Sequence, residues 1–266
     1  MKVVILAGGY GTRFGKVTDF LPKPMIPVGP MPIVWHIMRY YASFGHHEFI
    51  LATGYKSEVI KEFFANLSIY SNDITCSYDD AGGSIAFHSS GNSFRPKVTI
   101  AYTGQETMTG GRVKRIAKYL GNDDTFMLTY GDGVTDVNLD ALVEFHRSHG
   151  KLATLTAVNP PPKFGNLQFD GDQVTSFTEK EGVEGGLVNG GYYVMNRKVL
   201  DYLSDDASCV LEKKPMVELA AQRQLMAYRH TGYWQCMDTT RDLDSLKEVW
   251  DSGKAPWKRW SDGYVD

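Results

Sequence analysis

The sequence predicts an α/β fold: a Rossmann-like, mixed but mostly parallel sheet flanked by helices, with a small β-rich insertion and C-terminal helices. Three observations carry the prediction. Short apolar, β-branched runs alternate with amphipathic stretches of helical period through the first 150 residues. The first run, "VVILA" at 3–7, breaks directly into the glycine-rich "GGYGTRFG" at 8–15. A strand feeding such a turn brings backbone close to a phosphate in α/β sheets. Finally, 266 residues, 42% hydrophobic and 22% charged, suit one large α/β unit.

Strands are expected at Val3–Leu6, Phe49–Thr53, Val98–Tyr102, Phe126–Tyr130 and Ala153–Val158, where β-branched and aromatic residues cluster. Helical periodicity falls between them, at Ile33–Phe44, Ser57–Phe64, Gly111–Tyr119 and Leu139–His149. Past residue 160 the rhythm changes. "GNLQFDGDQVTSFTEK" at 165–180 reads as a hairpin turning at Gly171–Asp172, and "GGYYVMN" at 190–196 as a further strand. Pro215–Arg223 and Leu243–Trp250 read as closing helices. Residues 68–97 stand apart, rich in Ser, Asn, Asp and Gly without helical period. They read as a long surface insertion, whose patches "ITCSYDD" and "SIAFHS" could be strands used in subunit contact. No repeat or linker divides the chain, so residues 1–266 are expected to form a single domain with halves at 1–150 and 151–266.

Composition excludes several classes. A net charge of −3 implies no basic face for nucleic acid. Cys76, Cys209 and Cys236 are odd in number and far apart, so neither a disulfide framework nor a zinc site is expected. The chain opens on "KVVILA" followed by glycines, unlike a signal peptide, and no apolar run approaches the roughly 18 residues of a membrane span. A cytoplasmic protein with no membrane partner is expected.

The glycine loop fails both common phosphate fingerprints. A dinucleotide loop needs G-x-G-x-x-G opening into a helix, but Phe14 stands at the third glycine and Gly15 comes one position late. With Pro22, Pro24 and Pro27 downstream, no helix is expected after it. A nicotinamide dehydrogenase would also want an acidic residue after the second strand, where "ILATGYK" offers none. The Gly-Lys-Ser/Thr of a Walker loop is absent as well. What remains is a glycine loop carrying Arg13, then Lys23 in "PKPM". Alone, the loop would as readily be a tight structural turn. Two prolines that aim Lys23 tip the reading toward a reacting phosphate chain.

"LAGGYGTRF" followed by "PKPMIPVG" resembles the signature of the sugar-1-phosphate nucleotidyltransferases, the NDP-sugar pyrophosphorylases. The likeness continues through "PIVWHIM", "GYKSEVIKEFF", "TGQETMTGGRVKR", "FMLTYGDGV", "VNGGYYV", "YWQCMDTTRD" and "GKAPWK", over nearly the whole chain outside 68–97. Within the family it is greatest to the members that make CDP-glucose from CTP and glucose 1-phosphate. Leu21, "GPMP" at 29–32, and Lys213 and Lys214 depart from the pattern, none at a position read as catalytic.

The resemblance implies the nucleotide-diphospho-sugar transferase type of fold, with 1–150 mainly binding nucleotide and 151–266 mainly sugar phosphate. It implies attack of a sugar-phosphate oxygen on the α-phosphorus of CTP with loss of pyrophosphate. Lys23 and Arg13 would neutralise the triphosphate and the transition state. Leu6, Ala7, Gly8, Gly9, Gly11 and Thr12 would hold base, ribose and phosphates. Thr109, Gly110, Gly111 and Arg112 would lie near the base, with Lys114 and Arg115 a solvated face. Tyr130, Gly165, Glu179, Lys180 and Asn189 would meet the sugar phosphate. Asp132 and Asp238 would hold Mg²⁺, which takes one or two protein carboxylates plus phosphate oxygens. By themselves, Asp132 is equally a turn residue, Asp238 a helix N-cap, Arg112 a surface arginine and Glu179–Lys180 an exposed hairpin pair. Similar proteins form hexamers, so a homo-oligomer is expected. UTP, dTTP or another hexose phosphate stays open, as does a non-catalytic nucleotide-sugar sensor, although a sensor would have little need of Lys23, Asp132 and Asp238.

Other conspicuous residues take plain roles. His46 and His47 follow Gly45 at a helix end, where a capping or dipole role outweighs metal binding. Trp35, His36 and Met38 are expected in a core-facing helix, and Trp250, Trp257 and Trp260 are expected to anchor the C-terminal tail onto the body or onto a neighbouring subunit.

Overall fold

The strand Val3–Ala7 (β1) is buried at every position, and its alternating side chains separate two cores. Val3, Ile5 and Ala7 join one cluster and Val4 and Leu6 the other, as the period of two along a strand requires. The computed structural model describes residues 1–79, 82–88, 94–160, 166–170, 173–178 and 186–261, and for 13, 15–17, 79, 166–170 and 173–178 it describes the backbone alone.

Among the described residues β1 lies inside a seven-stranded sheet with Glu48–Thr53 (β2), Lys97–Tyr102 (β3), Thr125–Tyr130 (β4), Ala153–Val158 (β5), Val188–Asn196 (β6) and Leu225–His230 (β7), in the order β7-β5-β6-β4-β1-β2-β3. Strand β6 runs antiparallel to both β5 and β4, and the other pairings are parallel. The sheet is therefore mixed and mostly parallel, as expected. Between β1 and β4 the strand order reverses, so the turns leaving their carboxyl ends part and open a crevice.

Helices Ile33–Ala42 (α1), Ser57–Ala65 (α2), Leu67–Ser71 (α3), Thr109–Arg115 (α4), Leu139–His149 (α5), Lys214–Ala221 (α6) and Thr240–Asp251 (α7) flank the sheet. Residues of α1, α5 and α7 pack on one face, with Trp35 and Trp257 in the same core, and residues of α4 and α6 pack on the other. Burying each Ile or Val of β1 is worth about 2 kcal/mol, so the frame beneath the glycine loop is set by packing. The tail tryptophans do anchor it: the Trp35 ring lies 5.6 Å from Trp260, and His36 lies 4.5 Å from Trp250.

Several boundaries differ from the expectation. Helix α1 stops at Ala42 rather than Phe44 because Gly45, at φ +82°, turns the chain back and His46 N donates to Tyr41 O. Helix α4 begins at Thr109 and ends at Arg115, and a separate 3₁₀ turn, Ala117–Tyr119, follows. A 3₁₀ helix, Thr12–Asp19, does follow the glycine loop, contrary to expectation. The prolines act only from residue 22 on, and Phe14, buried in the core, draws the segment inward while its N–H donates to Gly11 O.

The insertion holds α3, which its composition does not announce, and the hairpin Asp73–Asp79 with Gly82–His88. Both expected patches are strands. Cross-strand partners Ile74–Phe87 and Cys76–Ile85, with Tyr78, share one face, and all are exposed. The expected hairpin around 171–172 is present as Asn166–Asp170 paired with Gln173–Thr178; its two turn residues lie outside the described residues. No described helix is long and apolar enough to cross a membrane.

Candidate active site

At the end of β1 the backbone opens into Gly8–Gly11. Gly8 O accepts from Tyr55 N at 3.2 Å and from the Arg112 guanidinium at 2.9 Å. Arg112, 4% exposed, also donates to Thr53 O, Thr103 Oγ1, Gly104 O and Gln105 O. A planar fork with five donors fits this ring of acceptors. A Cβ on Gly8 would come within 2.2 Å of the guanidinium, so the arginine can clamp the loop only because residue 8 is glycine. Gly11, at φ +66°, makes the turn that L side chains resist.

Lys23 sits in the 3₁₀ turn Lys23–Met25, entered through Pro22, with Ile26 N donating back to Lys23 O. Its Nζ lies 2.5 Å from Asp132 Oδ2 and 2.8 Å from Asp238 Oδ1, and the lysine side chain is 14% exposed. Asp132 follows β4. Asp238 reaches it because Trp234–Cys236 pairs antiparallel with Gly133–Thr135, Cys236 opposite Gly133, and Met237 N donates to Asp132 O at 2.8 Å. The cap of α7 is Thr239, in a capping box with Asp242, so Asp238 is not the N-cap it could have been by sequence. Burial works against the charge on Lys23. The two carboxylates outweigh it and hold the pKa above the ordinary lysine value. Two adjacent carboxylate groups are hard oxygen donors suited to a magnesium ion that keeps its remaining positions for phosphate and water. No cluster of three or more His, Cys, Asp or Glu groups exists among the described residues, so phosphate oxygens would have to complete such a site.

On the far side, the Tyr130 hydroxyl donates to Glu212 and lies 3.1 Å from the Tyr193 hydroxyl, which accepts from Asn189 Nδ2 at 2.5 Å. Burial, then Tyr193 and Glu212, push the Tyr130 pKa far up, so it stays protonated. Leu6, Ala7, Gly8, Gly9, Gly11, Thr12, Lys23, Thr109, Arg112, Tyr130, Asp132 and Asp238 line one cavity of about 330 Å³, together with Pro24, Thr107, Met108 and Gly131. Asn189 lines a smaller recess that shares Tyr130 and Asp132 with it.

The family model for nucleotidyl transferases matches residues 2–252. The chain belongs to the nucleotidyl transferase family. As a nucleotidyl transferase it is 47% identical, over 98% of its length, to the glucose-1-phosphate cytidylyltransferases of Salmonella typhi and Salmonella typhimurium, and it covers the whole of each. Its fold is shared with HddC from Yersinia pseudotuberculosis complexed with GMP-PN, at a TM-score of 0.66 and 24% identity, over 94% of this chain and 99% of that one.

In this nucleotidyl transferase several expected site residues take other positions. Gly110 and Gly111 do not line the cavity. They let α4 press against the 206–211 segment, where a Cβ would meet Cys209 Sγ at 2.6 Å or Asp206 O at 2.5 Å. Arg112 lines the cavity but spends its donors on backbone and Thr103, which makes it a scaffold for the loop. Lys114 and Arg115 are not merely a solvated face, since Lys114 donates to Leu200 O and Arg115 to Asp205 O and Thr103 O. Gly165, Glu179, Lys180 and the Arg13 side chain lie outside the described residues. Pro24, Thr107, Met108, Gly131 and Glu212 were not anticipated. Pro24 and Gly131 stand beside predicted residues, but Glu212 is 82 residues from Tyr130 and carries no local signal.

Proposed function

We propose that this nucleotidyl transferase moves CMP from CTP to α-D-glucose 1-phosphate, releasing pyrophosphate and forming CDP-glucose. The observation that carries this reading is the full-length 47% identity to proteins of that activity. The site geometry is compatible: a glycine loop, a buried lysine and two carboxylates meet at the switch point of the sheet. Backbone of the Gly8–Gly11 turn and Thr12 would cradle ribose and phosphates, and the start of α4 would border the base. Lys23, held charged, would share the negative charge that builds on the α-phosphate, and Arg13 would help neutralise the leaving pyrophosphate. The sugar phosphate would lie against Tyr130 and Asn189, with Gly165, Glu179 and Lys180 as further contacts. Asp132 and Asp238 would hold Mg²⁺, which supplies charge stabilisation at the phosphates when bound.

The apolar face of the 73–88 hairpin supports self-association. A two-stranded hairpin with such a face is marginal alone and gains from being covered. A hexamer is the assembly expected from the resemblance. We place the enzyme in the cytoplasm, supplying deoxysugar synthesis for surface polysaccharide, with no nucleic-acid or membrane partner.

Pyrophosphate release with glucose 1-phosphate and Mg²⁺, run in parallel with CTP, UTP, dTTP, ATP and GTP, tests the reading. Turnover with CTP alone supports it. Preference for another triphosphate overturns the base, and CTP binding without turnover overturns the sugar phosphate or the catalytic role.

A further inference from the structure

We infer that Glu212, which does not line the cavity, is a positioning residue that ties the nucleotide side of the site to the sugar side; the inference rests on the two-substrate reading proposed above. Glu212 stands in the loop before α6, and its carboxylate spans the gap between α4 and the end of β4. Its Oε2 accepts from Thr109 Oγ1 at 2.6 Å, and its Oε1 accepts from the Tyr130 hydroxyl. Thr109 Oγ1 accepts in turn from Leu211 N at 3.0 Å, so the loop that carries Glu212 is fastened to the same helix start.

Those contacts fix the direction of the hydrogens. A carboxylate only accepts, so both the Thr109 and Tyr130 protons point at Glu212. With the Tyr130 proton committed, the 3.1 Å contact to Tyr193 must have Tyr193 donating. Tyr193 accepts from Asn189 Nδ2, and Asn189 Oδ1 accepts from Gly191 N at 3.0 Å. One oriented chain therefore runs from β6 through Asn189, Tyr193 and Tyr130 to Glu212, with Thr109 arriving from the other side. It has two consequences. Tyr130 faces the sugar side as an acceptor with no proton to give, so it suits a sugar hydroxyl rather than a phosphate oxygen. And the spacing between Thr109, bordering the nucleotide, and Tyr130, bordering the sugar, is set by one side chain.

Exposure makes each bond individually modest, so the effect belongs to substrate geometry more than to folding. Glu212→Gln tests it, because the amide NH₂ cannot accept and one of the two hydroxyls must turn away. Steady-state kinetics on Glu212→Gln, Glu212→Asp, Tyr130→Phe and the Glu212→Gln/Tyr130→Phe double variant would be read beside their Tm. The expected result for Glu212→Gln is a KM for the sugar phosphate raised about tenfold, the scale of one charge-assisted hydrogen bond, with a much smaller change in kcat and an unchanged Tm. Glu212→Asp, which keeps the charge, should recover part of that loss. In the Tyr130→Phe background the glutamine should add little to the sugar-phosphate KM, because the group it orients is gone. Full additivity, equal losses for Gln and Asp, or an unchanged KM would each overturn the inference. The series is run with whichever triphosphate and sugar phosphate the wild type turns over best. A wrong substrate identity then shows in the wild type alone and leaves the Glu212 comparison decisive.

Discussion

Lys23 Nζ and Asp132 Oδ2 are 2.5 Å apart, joining a residue held between two prolines to the carboxyl end of a central strand. With Asp238 at 2.8 Å on the same nitrogen, one cation faces two carboxylates in the cavity wall. A metal ion held by the two carboxylates would compete with Lys23 for them, and a phosphate would compete with them for Lys23.

Lys23→Met should therefore lower kcat by about 10²-fold or more, the usual cost of losing a charged group aimed at the reacting centre. It should also tighten binding of Mn²⁺, a probe for Mg²⁺, in the absence of nucleotide, because two carboxylates lose their resident counter-charge. Electron paramagnetic resonance titration of Mn²⁺ reads the second effect independently of turnover. Weaker Mn²⁺ binding in the variant would show that the lysine organises the carboxylates rather than competing for them.

Arg112→Met should destabilise the fold by about 3 kcal/mol or more, because the guanidinium's bonds to four carbonyls and to Thr103 are lost at once, although Gly8 O keeps Tyr55 N and Thr53 O keeps Thr103. Arg112→Lys should recover only part of this, since an ammonium cannot reproduce the planar fork. Thermal melts would show the loss, and nucleotide binding should fall in parallel as the Gly8 turn keeps only its bond from Tyr55 N. A variant as stable as wild type would mean that water replaces the guanidinium.

Stability should fall in mild acid. His36 and His146 are buried, and burial pushes both down to about 4 from an ordinary 6.5. The unfolded chain takes up these protons at a pH where the folded chain does not. Stability is thus complete above about pH 6.5 and is lost as pH drops toward 4, by up to about 1.4 kcal/mol per pH unit for each histidine. Tm measured between pH 7.5 and 4.5 checks the sign, and a flat profile down to pH 5 would contradict it.

Thiol chemistry should separate the cysteines. Burial, reinforced by Asp238 and Asp132, pushes the Cys236 thiol up to about 12, whereas Cys76 lies on the exposed face of the hairpin. At pH 8 iodoacetamide should label Cys76 within minutes in the dissociated chain and leave Cys236 intact, as peptide mapping by mass spectrometry would show. Protection of Cys76 in the assembled protein would in addition place the apolar hairpin face inside the contact between copies.

Much of this arrangement was legible in the sequence, and most of the exceptions share a cause. Ala153–Val158 and Leu139–His149 have the predicted bounds because their signals are local: the helix is stopped by Asn138, whose side chain accepts from Ala141 N, and by Gly150 at φ +62°. Lys23, Asp132 and Asp238 could be paired only through the family resemblance, since no spacing along the chain brings residue 238 to residue 132. Gly110 and Gly111 read as backbone donors for a ligand, yet their neighbours are residues 206–211, which periodicity cannot see. Glu212 escaped notice for the same reason. The turn at Thr12–Asp19 escaped because Phe14 and Val17 are its only apolar residues, too few to show a helical period.

The pairing of Gly133–Thr135 with Trp234–Cys236 has a consequence for how the protein comes into being. A chain that ends before residue 238 offers Lys23 one of these carboxylates, Asp132, where the full chain offers two. Its charge balance at that point is neutral rather than anionic, with little to hold a divalent ion. If Asp132 and Asp238 hold a metal ion as proposed, a product terminated before residue 238 lacks half of the carboxylate charge that would retain it.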